Sequence, residues 1–163
     1  MKKFLLLASC LLLAACAGPP HQFTAQELTQ VDTATGIVWA KNANLAGKPL
    51  PWKGDGSVSA FLQKLNRQMY GGYADWRVPT KEEMAELLTF AKAQGYLPDK
   101  METWPYQQLR KLGFQEVKDY GYWTATRGGK DQHWVADLAS GELHPRPDSK
   151  AYNLWPVRGG RGR

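Results

Sequence analysis

The stretch Gly71-Gly72-Tyr73-Ala74-Asp75-Trp76-Arg77-Val78-Pro79-Thr80-Lys81-Glu82-Glu83 holds the end of one helix, an extended crossing and the start of another. Gly71 and Gly72 let the chain reverse, Pro79 forces Val78 into an extended conformation, and Thr80 with Glu83 has the spacing of a capping box. Asp75 and Arg77 are two residues apart. In an extended segment they share a side, where they are expected to form an ion pair or bond to neighbouring loops, with Trp76 on the opposite face. No nucleophile accompanies them. Asp75, Trp76, Arg77 and Pro79 are therefore read as a structural joint.

On the N-terminal side of this joint, residues 57–69 carry Phe61, Leu62, Leu65 and Met69 as an apolar helical stripe. On the other side Met84, Leu87, Leu88 and Ala91 define a second helix that Gly95 stops, and residues 105–113 predict a short third one, with proline at its start and glycine at its end. Thr29-Gln30-Val31 and Ile37-Val38-Trp39 read as strands joined by a turn at residues 32–36. The loop at 42–57, rich in proline and glycine, is expected to lack regular structure. From Tyr120 onward the apolar period becomes two. Segments 120–126, 133–138, 142–144 and 152–158 predict strands of one antiparallel sheet, with a turn at Ala139-Ser140-Gly141. The fold class is thus α+β, two main helices packed on a mainly antiparallel sheet. Ahead of the first strand, Thr24 and Glu27 suggest a brief capped helix in a tether.

The first residues, MKKFLLLASCLLLAACAG, place two lysines before an apolar run from Phe4 to Leu13, the layout of a secretory signal. Leu13-Ala14-Ala15-Cys16 has the form of a bacterial lipobox. The expectation is a signal peptide at 1–15, a lipidated Cys16 carrying palmitate-type acyl chains, a tether at 16–28, a domain at 29–159 and a basic Gly/Arg tail at 160–163. Three acyl chains bury far more CH₂ groups than the single chain that gives marginal anchoring, so the protein is expected at the cell outer membrane, held there by its lipid. Both cysteines of the sequence lie within residues 1–16, so the expected mature domain has no disulfide.

Removal of Lys2 and Lys3 with the signal leaves 19 basic and 15 acidic residues, a charge of +4. All of that excess lies in residues 144–163, where Arg146, Lys150, Arg158, Arg161 and Arg163 face the single acid Asp148. A Gly/Arg terminus suggests RNA in a cytosolic protein. For an exported one, envelope polyanions are the corresponding partner and no nucleic acid is expected. A solvated tail without a ligand is the alternative.

Two loops follow this charge. Arg127, Lys130 and His133 occupy "RGGKDQH", and Arg146 and Lys150 occupy "HPRPDSK". If the two share one end of the sheet, they form a basic rim for sulfate, phosphate or carboxylate groups, with aromatic faces beside it for sugar rings. Trp123, Trp134 and Trp155 are candidates for those faces, but at least two of the three are expected in the core. His21, His133 and His144 are isolated from one another, and no cysteine or HExxH pattern accompanies them, so no metal and no cofactor is expected. Catalysis has no motif to rest on, and the expected activity is non-enzymatic.

Through "DTATGIVWAKN", "GGYADWRVPTKEEMAELL", "YWTATRGGKDQHWVADLASGE" and "LWPVRGG", in that order, the sequence resembles the Lcl C-terminal domain family, a bacterial extracellular domain. The resemblance implies a C-type-lectin-like fold. It also implies adhesion or glycan binding, since the best understood member is the terminal domain of a collagen-like surface adhesin that binds sulfated polysaccharides. An assembly role, docking on another envelope protein, is the alternative. The family's cysteine pair would fall at Leu62 and Pro156 and is absent here, as is a Gly-x-Pro stalk.

Overall fold

The computed structural model describes residues 21–160. The predicted signal, Cys16 and the last three residues of the basic tail lie outside the described residues. The architecture is α+β, with three α-helices and nine strands in antiparallel pairings among the described residues. In chain order the strands are β1 (Phe23–Ala25), β2 (Thr29–Asp32), β3 (Ile37–Ala40), β4 (Leu50–Pro51), β5 (Gly121–Gly129), β6 (Gln132–Asp137), β7 (Glu142–Pro147), β8 (Ala151–Tyr152) and β9 (Val157–Gly159). The helices, α1 (Val58–Arg67), α2 (Lys81–Ala93) and α3 (Pro105–Lys111), fall between β4 and β5.

Three sheets replace the single one expected from the sequence: β1-β2-β3-β9, the ribbon β4-β8, and β5-β6-β7. Residues 152–158 do not form one strand. Asn153 bonds across to Gly121, after which Leu154 and Trp155 turn into the core, and Pro156 has no N–H to continue a ladder. The chain then resumes as β9 against β3, with Trp39 opposite Val157. Two further corrections are local. Residues 23–25 form an edge strand on β2 in place of the brief helix, with Thr24 opposite Val31. The loop at 42–57 contains β4, whose Leu50 pairs with Tyr152.

The second helix begins as its sequence requires: the Glu83 amide donates to Thr80 Oγ1, and Glu83 Oε2 accepts from the Thr80 amide at 2.8 Å. Its face of Met84, Leu87, Leu88 and Ala91 is buried on the β5-β6-β7 sheet. Trp39, Tyr122 and Trp155 lie in the same cluster, with Trp155 edge-on to Trp39 at 5.2 Å and to Phe114 at 4.9 Å. A second, smaller core lies on the other face of that sheet, where Leu50, Val58, Val78, Trp123, Val135 and Leu154 meet. Leu62 touches both cores, so the absent cysteine position is filled by packing. Met69, placed on the apolar stripe by its spacing, is instead 57 % exposed, because α1 has ended and the residue adopts φ 48° in the reversal.

Candidate functional site

The joint is built of backbone bridges reinforced by side chains. Gly71 and Gly72 both have positive φ, which reverses the chain after α1. Trp76 is 3 % exposed, and its indole N–H donates to the Tyr70 carbonyl at 2.9 Å. Asn66 at the end of α1 clamps the Trp76 backbone from both sides, accepting from its N–H and donating to its carbonyl. Arg77 exchanges both backbone bonds with Val157, and the Pro79 carbonyl accepts from Ala125. Four elements therefore converge on the stretch.

Of the two outcomes expected for Asp75 and Arg77, the ion pair between them does not form, and bonds to neighbouring segments do. Arg77 holds Glu83 through two bonds, Nη1–Oε2 at 2.8 Å and Nη2–Oε1 at 2.6 Å, and Nη2 also donates to the Gly159 carbonyl. The Glu83 carboxylate beside it raises the Arg77 pKa. Asp75 instead pairs with Arg158, Nε to Oδ1 at 2.7 Å, and the Arg158 guanidinium lies 3.8 Å from the Tyr73 ring centre. That hydrogen bond holds the Asp75 carboxyl below its ordinary value. Arg158, a candidate ligand residue by charge, is thus part of the joint. Beside it lies a cleft of about 620 Å³ whose lining includes Thr35, Arg77, Glu82, Glu83 and Gly160. Its arginine is already engaged with Glu83.

The basic loops do meet. The Asp148 amide donates to the Asp131 carbonyl at 2.9 Å, which brings the β5–β6 turn and the end of β7 together. Across the sheet, Arg127, His133 and Arg146 stand in one cross-strand row. Arg127, Lys130, Arg146 and Lys150 are exposed, and among the described residues none of them makes an ion pair. His133 is not on this rim. It is 4 % exposed, with Nδ1 at 2.7 Å from Asp148 Oδ1 and its ring stacked on Trp52 at 3.7 Å. It shares the sheet face of its cross-strand partners Arg127 and Arg146, and it is the Trp52 ring, in the segment just after β4, that covers it. Lys53, carried by that segment, lies 2.9 Å from Asp131 Oδ1 and 3.3 Å from Asp148 Oδ2. Lys53 is raised and Asp131 lowered by their mutual hydrogen bond.

Trp52, Lys53, Asp131 and Asp148 were not among the candidates from sequence. Lys53 and Asp131 are 78 positions apart, and only the adjacent Trp52-Lys53 pair in a loop hinted at a folded contact. The aromatic faces are also distributed differently. Trp123 and Trp155 are fully buried, and Trp134 is half-buried beneath Lys81, whose Nζ sits 3.5 Å from the ring centre. Among the described residues no group of three potential metal ligands occurs, and no helix is long and apolar enough to cross a membrane.

This arrangement is a tryptophan-rich α+β domain locked by a DWRxPT joint. The chain belongs to the Lcl C-terminal domain family, whose model matches residues 28–158. No curated protein matches the chain.

Proposed function

We propose that this protein is a non-enzymatic binding module of the bacterial envelope, carried on a lipid anchor at Cys16, that holds an anionic glycan or related envelope polymer. The supporting observation is the convergence of Arg127, Lys130, Arg146 and Lys150 at one end of the β5-β6-β7 sheet, joined by the Asp148–Asp131 bond. Lys53 pairs with the acids Asp131 and Asp148 of the same loops, which leaves the four outer cations to the solvent side. Forked guanidinium groups suit sulfate, phosphate and carboxylate. A C-type-lectin-like fold is in keeping with the way the first and last strands close into one sheet while a second sheet carries the loops.

Retention of the domain on immobilised heparin or lipopolysaccharide should fall steeply with salt, because the Debye length contracts from about 10 Å at 0.1 M to about 3 Å at 1 M. Neutralising Arg127, Lys130, Arg146 and Lys150 together should abolish retention at low salt. Neutralising Arg161 and Arg163 alone should leave most of it. If the tail variant alone loses retention, the rim is not the site. A wild-type domain that never binds would move the protein to the assembly role, tested by crosslinking in membranes.

The anchor has its own test. Cys16→Ala should release the protein from sedimented outer membranes into the soluble periplasmic fraction, and a variant that still sediments would remove the lipid from the proposal.

A further inference from the structure

The face of the β5-β6-β7 sheet that carries Trp123 and His133 is covered at one side by the β4-β8 ribbon. Beyond the ribbon it stays open, as a groove of about 220 Å³. Gly121, Val135 and two tyrosines, Tyr120 and Tyr152, are among the residues that line it. Tyr152, on β8, is braced edge-on by Trp123 at 4.9 Å. Tyr120 is 66 % exposed, the most open of the exposed large hydrophobic side chains among the described residues. Gly121 lets the Tyr152 ring lie directly on the sheet and form one wall: a Cβ there would come within 2.6 Å of that ring and 2.7 Å of Val135, so a side chain would push the tyrosine away.

The polar lining is mixed in sign. Arg146 supplies donors, while Asp119 and Asp137 supply acceptors. Asp137 is partly committed, since its Oδ1 accepts from the amides of Ala139 and Ser140 in the hairpin turn. His144 is steadied by Glu142, with Nε2 at 3.1 Å from Oε2. A groove with two carboxylates and one guanidinium does not select an anion. Apolar walls with separate donors and acceptors between them match a ring that is apolar on its faces and hydroxylated at its edge. The volume lies below the 300–1,000 Å³ of sites for larger ligands, which limits the occupant to about one such ring.

We infer that the groove between Tyr120 and Tyr152 seats a single uncharged pyranose unit of a glycan, one ring face on Tyr120, with hydroxyls shared between Asp119 and Arg146. The inference goes beyond the polyanion reading and does not require it. The outer cations act on charge at a distance, whereas the groove reads a sugar ring by contact. Arg146 alone belongs to both.

Saturation-transfer NMR on the soluble domain tests it, with neutral tetrasaccharides of glucose, galactose, mannose and N-acetylglucosamine as probes. At least one should receive saturation on its ring protons, with the same intensity at 0.1 M and 1 M salt. Tyr120→Ala should weaken that binding by about tenfold, the scale of one aromatic contact, and Asp119→Asn should weaken it also. Tyr120→Phe should preserve it. Because Tyr120 is largely exposed, its truncation leaves the core intact, and heparin retention of Tyr120→Ala should be unchanged. No transfer to any of the four probes, transfer that survives Tyr120→Ala, or transfer lost at 1 M salt would each overturn the inference. Lost heparin retention with intact tetrasaccharide binding would count against the polyanion reading alone.

Discussion

Trp155→Ala is expected to destabilise the domain by about 3–5 kcal/mol, the usual cost of emptying a large aromatic site in a core. The side chain is fully buried, packs on Trp39, Phe114 and Tyr122, and its indole N–H donates to the Ala40 carbonyl at 2.7 Å. It lies where β9 joins β3 and therefore ties the end of the domain to its beginning. A domain of this size has about 5–15 kcal/mol in total, so the variant should melt at least about 6 °C lower. Trp155→Phe keeps most of the ring contacts but loses the hydrogen bond, and should cost about 1–3 kcal/mol. Thermal denaturation followed by circular dichroism reads both. If Trp155→Ala melts within about 2 °C of the wild type, the residue is not the keystone that its burial indicates.

The second large effect is expected at Arg77. Its pair with Glu83 is neither fully exposed nor fully buried, with side-chain exposures of 38 % and 15 %. Surface pairs contribute about 0–1 kcal/mol, and breaking a buried pair costs about 3–5. Arg77→Ala should fall between, at about 2–3 kcal/mol, because it also loses the bond to the Gly159 carbonyl. Glu83→Ala removes the same pair and half of the capping box, so the two losses should not add. Arg77→Lys should rescue little, since an ammonium cannot span both carboxylate oxygens and the carbonyl. Asp75→Ala, by contrast, breaks an exposed pair and should have a small effect. What stability that pair gives is present above the ordinary carboxylate pKa and is lost in acid as Asp75 protonates. A double-mutant cycle by urea denaturation measures the Arg77–Glu83 coupling, and a coupling near zero would assign the joint to its backbone bridges alone.

Local rules carried much of this fold into the sequence. The Thr80/Glu83 cap, the α2 stripe, the proline at the start of α3 and the β6–β7 turn are each written within a few residues, and each forms as written. What depends on distant partners was less legible. Alternation could not show that β9 leaves its apparent sheet for β3, because that choice follows from Trp155 turning inward and from Pro156. Charge spacing suggested that Asp75 and Arg77 would pair, but better partners arrive from Glu83 and Arg158 once the helix and last strand dock. At the candidate site the sequence left open whether the two basic loops share one end of the sheet, and the bond between Asp148 and Asp131 brings them together. His133 was misplaced because its burial is imposed by Trp52, across a loop that contributes no periodic signal.

The closing of the first sheet has a mechanical consequence. The Gln22 carbonyl accepts from Thr33 and the Gly160 amide donates to Gly36, so the chain enters and leaves the fold at opposite sides of a single turn. Gln22 and Gly160, near the two ends of the described residues, therefore both lie on the β2–β3 turn. The rim at Arg127 and Lys130 is reached through a different sheet. A force applied at that rim and resisted at residue 22 would have to travel through the domain, and the DWRxPT joint, which binds β9 to α1, α2 and β5, lies on that route.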